Sequence, residues 1–271
     1  MEILDSKKLV TIDVEKLHLL RYGGTSCVFF DSEKKNCYKL YRPKTLPQKR
    51  EMILENLKAL DTSIDSKSPL VLPSEVYLND QNLIEMQKMP FVHGFSGVNA
   101  IRSHYMKKQY LILLKRIIEI VKEVTRKGLT VTDLKLSNIA FDRDLVPKII
   151  DNDYTLVVGR PEPVVQSIYN RLYSKLTQSN LDPTFNIYGL YFMIAMLLLK
   201  DEELEKSVST KTPPTLETLQ AINYYIQTNR GIPQSFKMEL RNLFTLKKEI
   251  DFSDKVTDEV LEFVAKQIRR N

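Results

Sequence analysis

Four polar residues fall close together in Thr130–Tyr154, TVTDLKLSNIAFDRDLVPKIIDNDY. They are Asp133, Lys135, Asn138 and, 13 residues after the asparagine, Asp151. Two carboxylates, an amide and an ammonium on neighbouring loops can hold a divalent cation and phosphate oxygens while one carboxylate orients a hydroxyl. Taken alone, D-L-K-L-S-N is also what a capped turn looks like, because Asp, Ser and Asn favour such places. Context has to decide between the two.

The elements that must position these residues can be read from periodicity. A strong apolar stripe over Lys107–Lys127, closed by Gly128, predicts a long helix ahead of the loop. The short apolar runs NIAF and PKII suit a small hairpin between Asn138 and Asp151. Upstream, residues 17–42 alternate apolar and aromatic runs with Gly-Gly and DSEKKN, which reads as strand, turn, strand. After Pro43 and Pro47, Ile53, Leu57 and Leu60 recur at helical spacing. Residues 69–89 return to strand-like alternation with Asn79-Asp80 as the turn. Further helices are expected at about 164–177, 183–200, 215–228, 233–247 and 256–269. The expected fold is therefore α+β and bilobal. A small antiparallel-sheet lobe with one helix would span 1–89, and a larger, mainly helical lobe 90–271.

Composition narrows the functional classes. The 271 residues are 43% hydrophobic and 27% charged, an ordinary globular mix. Forty Lys and Arg against 34 Asp and Glu leave a net charge of +6. That is too modest for the dense basic stripe of a nucleic-acid-binding surface, so nucleic acid is not expected as a ligand. Cys27 and Cys37 are too few for a disulfide framework and read as small apolar residues on neighbouring strands. No Cys/His spacing resembles a zinc site. The opening MEILDSKKLVTIDVEK has no apolar core of the secretory kind. The longest apolar run, Ile187–Leu199, is 13 residues, short of the ~20 a bilayer needs. A soluble, cytoplasmic protein is the expectation.

The pattern D-L-K-x-x-N, then an apolar strand and Asp151, resembles the catalytic and metal-binding loops of eukaryotic-type protein kinases. Other motifs follow in the order such a kinase has them. Tyr22-Gly23-Gly24-Thr25-Ser26-Cys27-Val28 stands where a Gly-rich loop would, 11 residues ahead of Lys39 in Cys37-Tyr38-Lys39-Leu40. Gly23 matches the middle Gly of that loop, while Arg21 and Ser26 occupy the other two positions. Glu51 and Glu55, one helical turn apart, are alternative partners for Lys39; either could instead pair with Arg50 or Lys58 on a solvated face. Leu83–Met89 resembles the last small-lobe strand, with Met86 as gatekeeper and the backbone of Gln87–Met89 meeting adenine. Asn186-Ile187-Tyr188-Gly189 resembles the start of a buried central helix usually written D-x-W-S-x-G.

The resemblance implies ATP bound between the lobes with Mg²⁺ (or Mn²⁺) and transfer of the γ-phosphoryl to Ser or Thr of a protein substrate. Gly23, Gly24 and Val28 would cover the nucleotide, Lys39 would contact the α- and β-phosphates, and Asn138 and Asp151 would hold metal. Asp133 would accept the hydroxyl proton and Lys135 would steady the moving phosphoryl. Lys135, two residues after Asp133, is the Ser/Thr-kinase pattern. The chain also departs from the family. H-R-D reads Val131-Thr132-Asp133, D-F-G reads Asp151-Asn152-Asp153, and A-P-E is not recognisable before Asn186. A pseudokinase scaffold and a small-molecule kinase of the same fold remain the alternatives. The stripped motifs look like those of a viral or bacterial-effector kinase. Asp142, Asp144 and Asp153 read as surface or turn carboxylates, with Asp153 as a supplementary metal ligand at most.

Overall fold

A computed structural model of the chain describes residues 1–8, 16–65, 67–102, 109–157 and scattered positions between 183 and 262. The expected helix at 164–177 lies outside them. Positions 185–187, 189–190, 193–194, 224, 227–228, 234–238, 258–259 and 262 are helical.

The described chain is mixed α+β. Its main sheet has six strands: β1 (Glu2–Asp5), β2 (Leu17–Tyr22), β3 (Ser26–Asp31), β4 (Asn36–Tyr41), β5 (Glu75–Leu78) and β6 (Ile84–Pro90). Their order is β1-β5-β6-β4-β3-β2, antiparallel throughout except where β1 lies parallel to β5. Turn chemistry sets the strand ends. Asp31 accepts the backbone N–H groups of Glu33 and Lys34, and Lys35 turns the chain with φ 56°. Asn79 does the same for Gln81 and Leu83, with Asn82 at φ 59°.

Helix α1 (Pro47–Ser63) begins with proline, whose missing N–H costs nothing at a helix start. It lays Ile53, Leu54 and Leu57 against Tyr41, Val76 and Ile84 of the sheet. Each such side chain contributes about 1.5–3 kcal/mol by leaving water. After β7 (Gly94–Ser96) and the short α2 (Gly97–Arg102), helix α3 (Tyr110–Arg126) buries Leu113, Leu114, Ile117, Val121 and Val124. It stops at Gly128, which takes φ 71° and donates its N–H to Thr125. Among the described residues no helix is long and apolar enough to cross a membrane.

Short strands then carry the polar segment: β8 (Leu129–Val131), β9 (Ile139–Asp142), β10 (Pro147–Ile149) and β11 (Thr155–Val157). The hairpin of NIAF and PKII is β9 with β10. The pair β8–β11 and the edge strand β7 were not expected, since three-residue strands are too short to show a period.

Asn186 holds β8 in place. Its Oδ1 accepts the Val131 N–H at 2.7 Å, and its Nδ2 donates to the Leu129 carbonyl at 2.6 Å and Thr125 Oγ1 at 3.1 Å. Gly189 sits so close to Leu134 that an added Cβ would meet the Leu134 Cβ at 3.3 Å. The helix starting near Asn186 therefore clamps the loop on either side of Asp133. Replacing Asn186 by Ala strands the Val131 N–H and Leu129 C=O in the interior, at about 1–3 kcal/mol for each unsatisfied group. Urea unfolding of Asn186→Ala should show a loss of that order; a change below about 0.5 kcal/mol would mean the clamp is dispensable.

Candidate functional site

The sheet presents one row of side chains to the polar loops. Val28, Lys39 and Gln87 are direct partners across β3, β4 and β6, so all three emerge on the same face. Val76 on β5 and Arg21 on β2 extend the row at its two ends. Lys39 lies at the centre and is 3% exposed.

Its ammonium is held by two carboxylates, Asp151 Oδ1 at 2.5 Å and Asp153 Oδ2 at 2.7 Å. Asp153 is 1% exposed and is itself fully engaged. Tyr41 donates its hydroxyl to Oδ2 at 2.8 Å, Gln87 donates Nε2 to Oδ1 at 3.0 Å, and Gln87 also hydrogen-bonds the Tyr41 hydroxyl. Burial alone would lower the Lys39 pKa, but the two carboxylates outweigh it and raise it, so the group stays charged. Burial followed by the Asp153 charge pushes the Tyr41 hydroxyl well up, which keeps it a donor.

The expected partners of Lys39 need correcting. Glu51 and Glu55 both lie on the solvent face of α1, and Glu55 pairs with Lys58 at 2.8 Å. Ile53, Leu54 and Leu57 take the buried face, and the glutamates fall about half a helical turn away from it. What α1 offers the site is Asn56, whose Nδ2 donates to the Asp153 carbonyl at 3.1 Å. Asp153, expected on the surface or in a turn, is instead the buried holder of Lys39. One cue was present in the sequence: Tyr41 lies two residues after Lys39, the spacing that brings both to one face of β4.

A second correction concerns β6. Met86 points to the opposite face of the sheet, packed with Tyr38 and Tyr77, and so does not line the Lys39 site. The residue beside Lys39 is Gln87, and Met89, the partner of Cys37, is half-buried on that same face. A one-residue slip in a period of two reverses every side chain.

The loop after β8 gathers the remaining groups. Asp133 Oδ2 accepts Lys135 Nζ at 2.6 Å and Asn138 Nδ2 at 2.9 Å, and Asn138 Nδ2 also reaches the Asp133 carbonyl at 3.0 Å. The Ile150 N–H donates to the Asn138 carbonyl at 2.8 Å, which brings Asp151 beside Asn138. Asp151 itself takes φ 66°, a left-handed backbone that costs a non-glycine residue of order 1 kcal/mol and tends to mark sites under functional constraint. Asn152 is buried and stitches the turn, donating to the carbonyls of Val71 and Ile149. The three residues of D-N-D therefore have three separate tasks.

Gly23 and Gly24 form the tip of the β2–β3 hairpin. Gly23 donates its N–H to Ser26 and accepts from Arg42 Nη1, while Thr25 accepts the Arg42 N–H and the Thr45 hydroxyl. The tip is thus tied down from both sides. Arg21 crosses from β2 to donate Nη1 to Asn138 Oδ1 at 3.1 Å. Lys39, Asp133, Lys135, Asn138 and Asp151 therefore form one connected site, with Arg21 at its edge.

Asn138 and Asp151 give a hard-oxygen donor set, one amide and one carboxylate, which suits Mg²⁺ or Mn²⁺ if phosphate oxygens complete the shell. Among the described residues no group of three or more His, Cys, Asp or Glu could hold a metal by itself. No protein-family model matches the chain, and no curated protein matches it. The geometry therefore carries the functional reading.

Burial would raise the Asp151 pKa, but Lys39, with Arg21 and Lys135, lowers it below the ordinary carboxylate value. A carboxyl whose folded pKa is depressed contributes stability above its unfolded pKa of about 3.9 and loses it as pH falls through the folded value. Wild-type unfolding free energy should drop as pH is lowered from about 5 towards 2, and Asp151→Asn should make that acid slope shallower. Equal slopes in denaturant titrations of the two proteins would contradict the Lys39–Asp151 pairing.

Proposed function

We propose that this site binds a nucleoside triphosphate, ATP, and transfers its γ-phosphoryl to a Ser or Thr hydroxyl of a protein. Residues 1–89 would be the lobe that covers the nucleotide and 90–271 the mainly helical lobe that carries the loop of Asp133. The observation that carries the reading is the Lys39–Asp151 contact beside the Asp133–Lys135–Asn138 cluster. An ammonium for phosphates, a metal-ligand pair and a carboxylate positioned by Lys135 and Asn138 converge from segments far apart in sequence.

The residues divide the work as follows. Lys39, held from behind by Asp153, meets the α- and β-phosphates in place of its present contact with Asp151. Asn138 and Asp151 would hold a divalent cation, which supplies neutralisation of the phosphate charge. Asp133 orients the acceptor hydroxyl and takes its proton as the new O–P bond forms and the bond to the β-phosphate oxygen breaks. Lys135, 2.6 Å from Asp133, balances the charge on the moving group. The hairpin tip at Gly23-Gly24 and Val28 lie over the phosphates, and the adenine end falls near Met89, beyond Gln87. Chemistry of this kind needs positioning and charge more than covalent help.

A specific observation favours a second reading, a nucleotide-binding scaffold without transfer. With Lys39 paired twice and Lys135 on Asp133, the ammonium groups of the site are already satisfied by the chain itself.

Incubation with γ-labelled ATP, Mg²⁺ or Mn²⁺ and generic acceptor proteins, followed by phosphosite mapping, separates the two. Transfer to Ser or Thr is expected, reduced about 10²–10⁴-fold in Asp133→Asn while nucleotide still raises the melting temperature. Undiminished transfer by Asp133→Asn would refute the assigned roles. Nucleotide binding with no transfer in wild type would leave the scaffold.

A further inference from the structure

Arg21 is the residue of the site that the kinase resemblance does not absorb, and its placement depends on a local irregularity. Along β2, Leu19 pairs with Phe29, yet the next pair is Arg21 with Val28, so Leu20 is an extra residue in the strand. In regular register Leu20 would oppose Val28 and Arg21 would point to the other face of the sheet. The bulge at Leu20 turns Arg21 onto the face of Lys39, and re-aiming a side chain is what such bulges do. The hairpin tip just beyond Arg21 is fixed by Gly23–Ser26, Arg42–Gly23 and Thr45–Thr25 hydrogen bonds.

The contact it makes is specific. Asn138 is 1% exposed, and its Nδ2 is committed to Asp133 through both the carboxylate and the carbonyl. Its Oδ1 is therefore the end left for another partner, and Arg21 Nη1 sits 3.1 Å from it. In a two-cation phosphoryl-transfer site, an asparagine oxygen in this place ligates the second metal. A second cation here would rest on Asn138 Oδ1 and on the oxygen of Asp151 that Lys39 leaves free. Asp153 is consumed by Lys39, Tyr41 and Gln87, and Asp151 shares one oxygen with Lys39.

We propose that Arg21 replaces the second divalent cation: its guanidinium occupies Asn138 Oδ1 and meets the terminal phosphates, so the chain binds its triphosphate with one metal ion, on Asp151. This rests on the nucleotide-binding reading above and narrows its metal set: Asp151 keeps the cation, and Asn138 serves Arg21 instead. A guanidinium suits the place because its planar fork can serve an amide oxygen and a phosphate oxygen together. The site would then need less free Mg²⁺ than a two-metal site, since one of its charges is covalently attached.

Counting bound Mn²⁺ tests this without an activity assay. Free Mn²⁺ is read by electron paramagnetic resonance in the presence of a non-hydrolysable ATP analogue, for wild type and for Arg21→Met, which keeps the length and loses the charge. Arg21 is exposed on an edge strand, and far-UV circular dichroism of the variant checks that the fold is kept. One Mn²⁺ per bound nucleotide in wild type and two in Arg21→Met is the expected result, with about tenfold weaker nucleotide binding by the variant at low Mn²⁺, recovered as Mn²⁺ is raised. Two Mn²⁺ in wild type, or one in both proteins, overturns the role of Arg21 while nucleotide binding stands. No nucleotide bound by either protein overturns the underlying reading and this one with it.

Discussion

A single buried ammonium organises the site. Lys39 emerges from the middle of the sheet with almost no access to water, and a charge there persists only if the protein compensates it. Two carboxylates do so, and one of them, Asp153, is compensated in turn by Tyr41 and Gln87. At an effective dielectric near 20, unit charges ~4 Å apart attract by about 4 kcal/mol, comparable with the desolvation of each ion. Such an arrangement survives only as a complete set. Removing one member of a buried pair typically costs about 3–5 kcal/mol. The strands, the left-handed turn at Asp151 and the stitching by Asn152 can all be understood as keeping that set together.

Asymmetry between the two carboxylates is what makes the arrangement useful. Asp153 is enclosed by sheet side chains and by the Asn56 contact, whereas Asp151 stands at the edge, a third exposed and next to Asn138. One carboxylate can therefore keep hold of Lys39 while the other exchanges it for a ligand. The consequence for α1 is that neither of its glutamates takes part. The geometry of Lys39 is set by β4, β6 and residues 151–153, and α1 contributes packing and one amide.

Much of this was legible in the sequence, for identifiable reasons. The strands β2 to β6, α1, α3 and the β9–β10 hairpin carry clear periods or turn residues, and Asp133, Lys135, Asn138 and Asp151 stood out by type and spacing; β1 was not expected. The expected partner of Lys39 came from the kinase resemblance, although the apolar stripe of α1 already turned Glu51 and Glu55 to solvent. Met86 and Gln87 differ by one position in a strand, I-E-M-Q-K-M-P, that mixes polar and apolar residues on both faces, so sequence alone could not assign faces. The inward turn of Arg21 depends on an extra residue at Leu20, and no residue type in L-H-L-L-R-Y marks a bulge there. Asp153 was hidden by its neighbour, since D-N-D looks like a polar turn until Asn152 is seen to be buried.

The most direct measurement is the affinity for Mg·ATP, by calorimetry, of wild type, of the double variant Glu51→Gln/Glu55→Gln, and of Asp153→Asn. If Lys39 is a phosphate-binding group held by Asp153, the double variant binds like wild type and Asp153→Asn binds at least tenfold more weakly, about 1.4 kcal/mol. Loss of affinity in the double variant with Asp153→Asn unaffected would place the holder of Lys39 on α1, and equal binding by all three would remove Lys39 from the nucleotide site altogether.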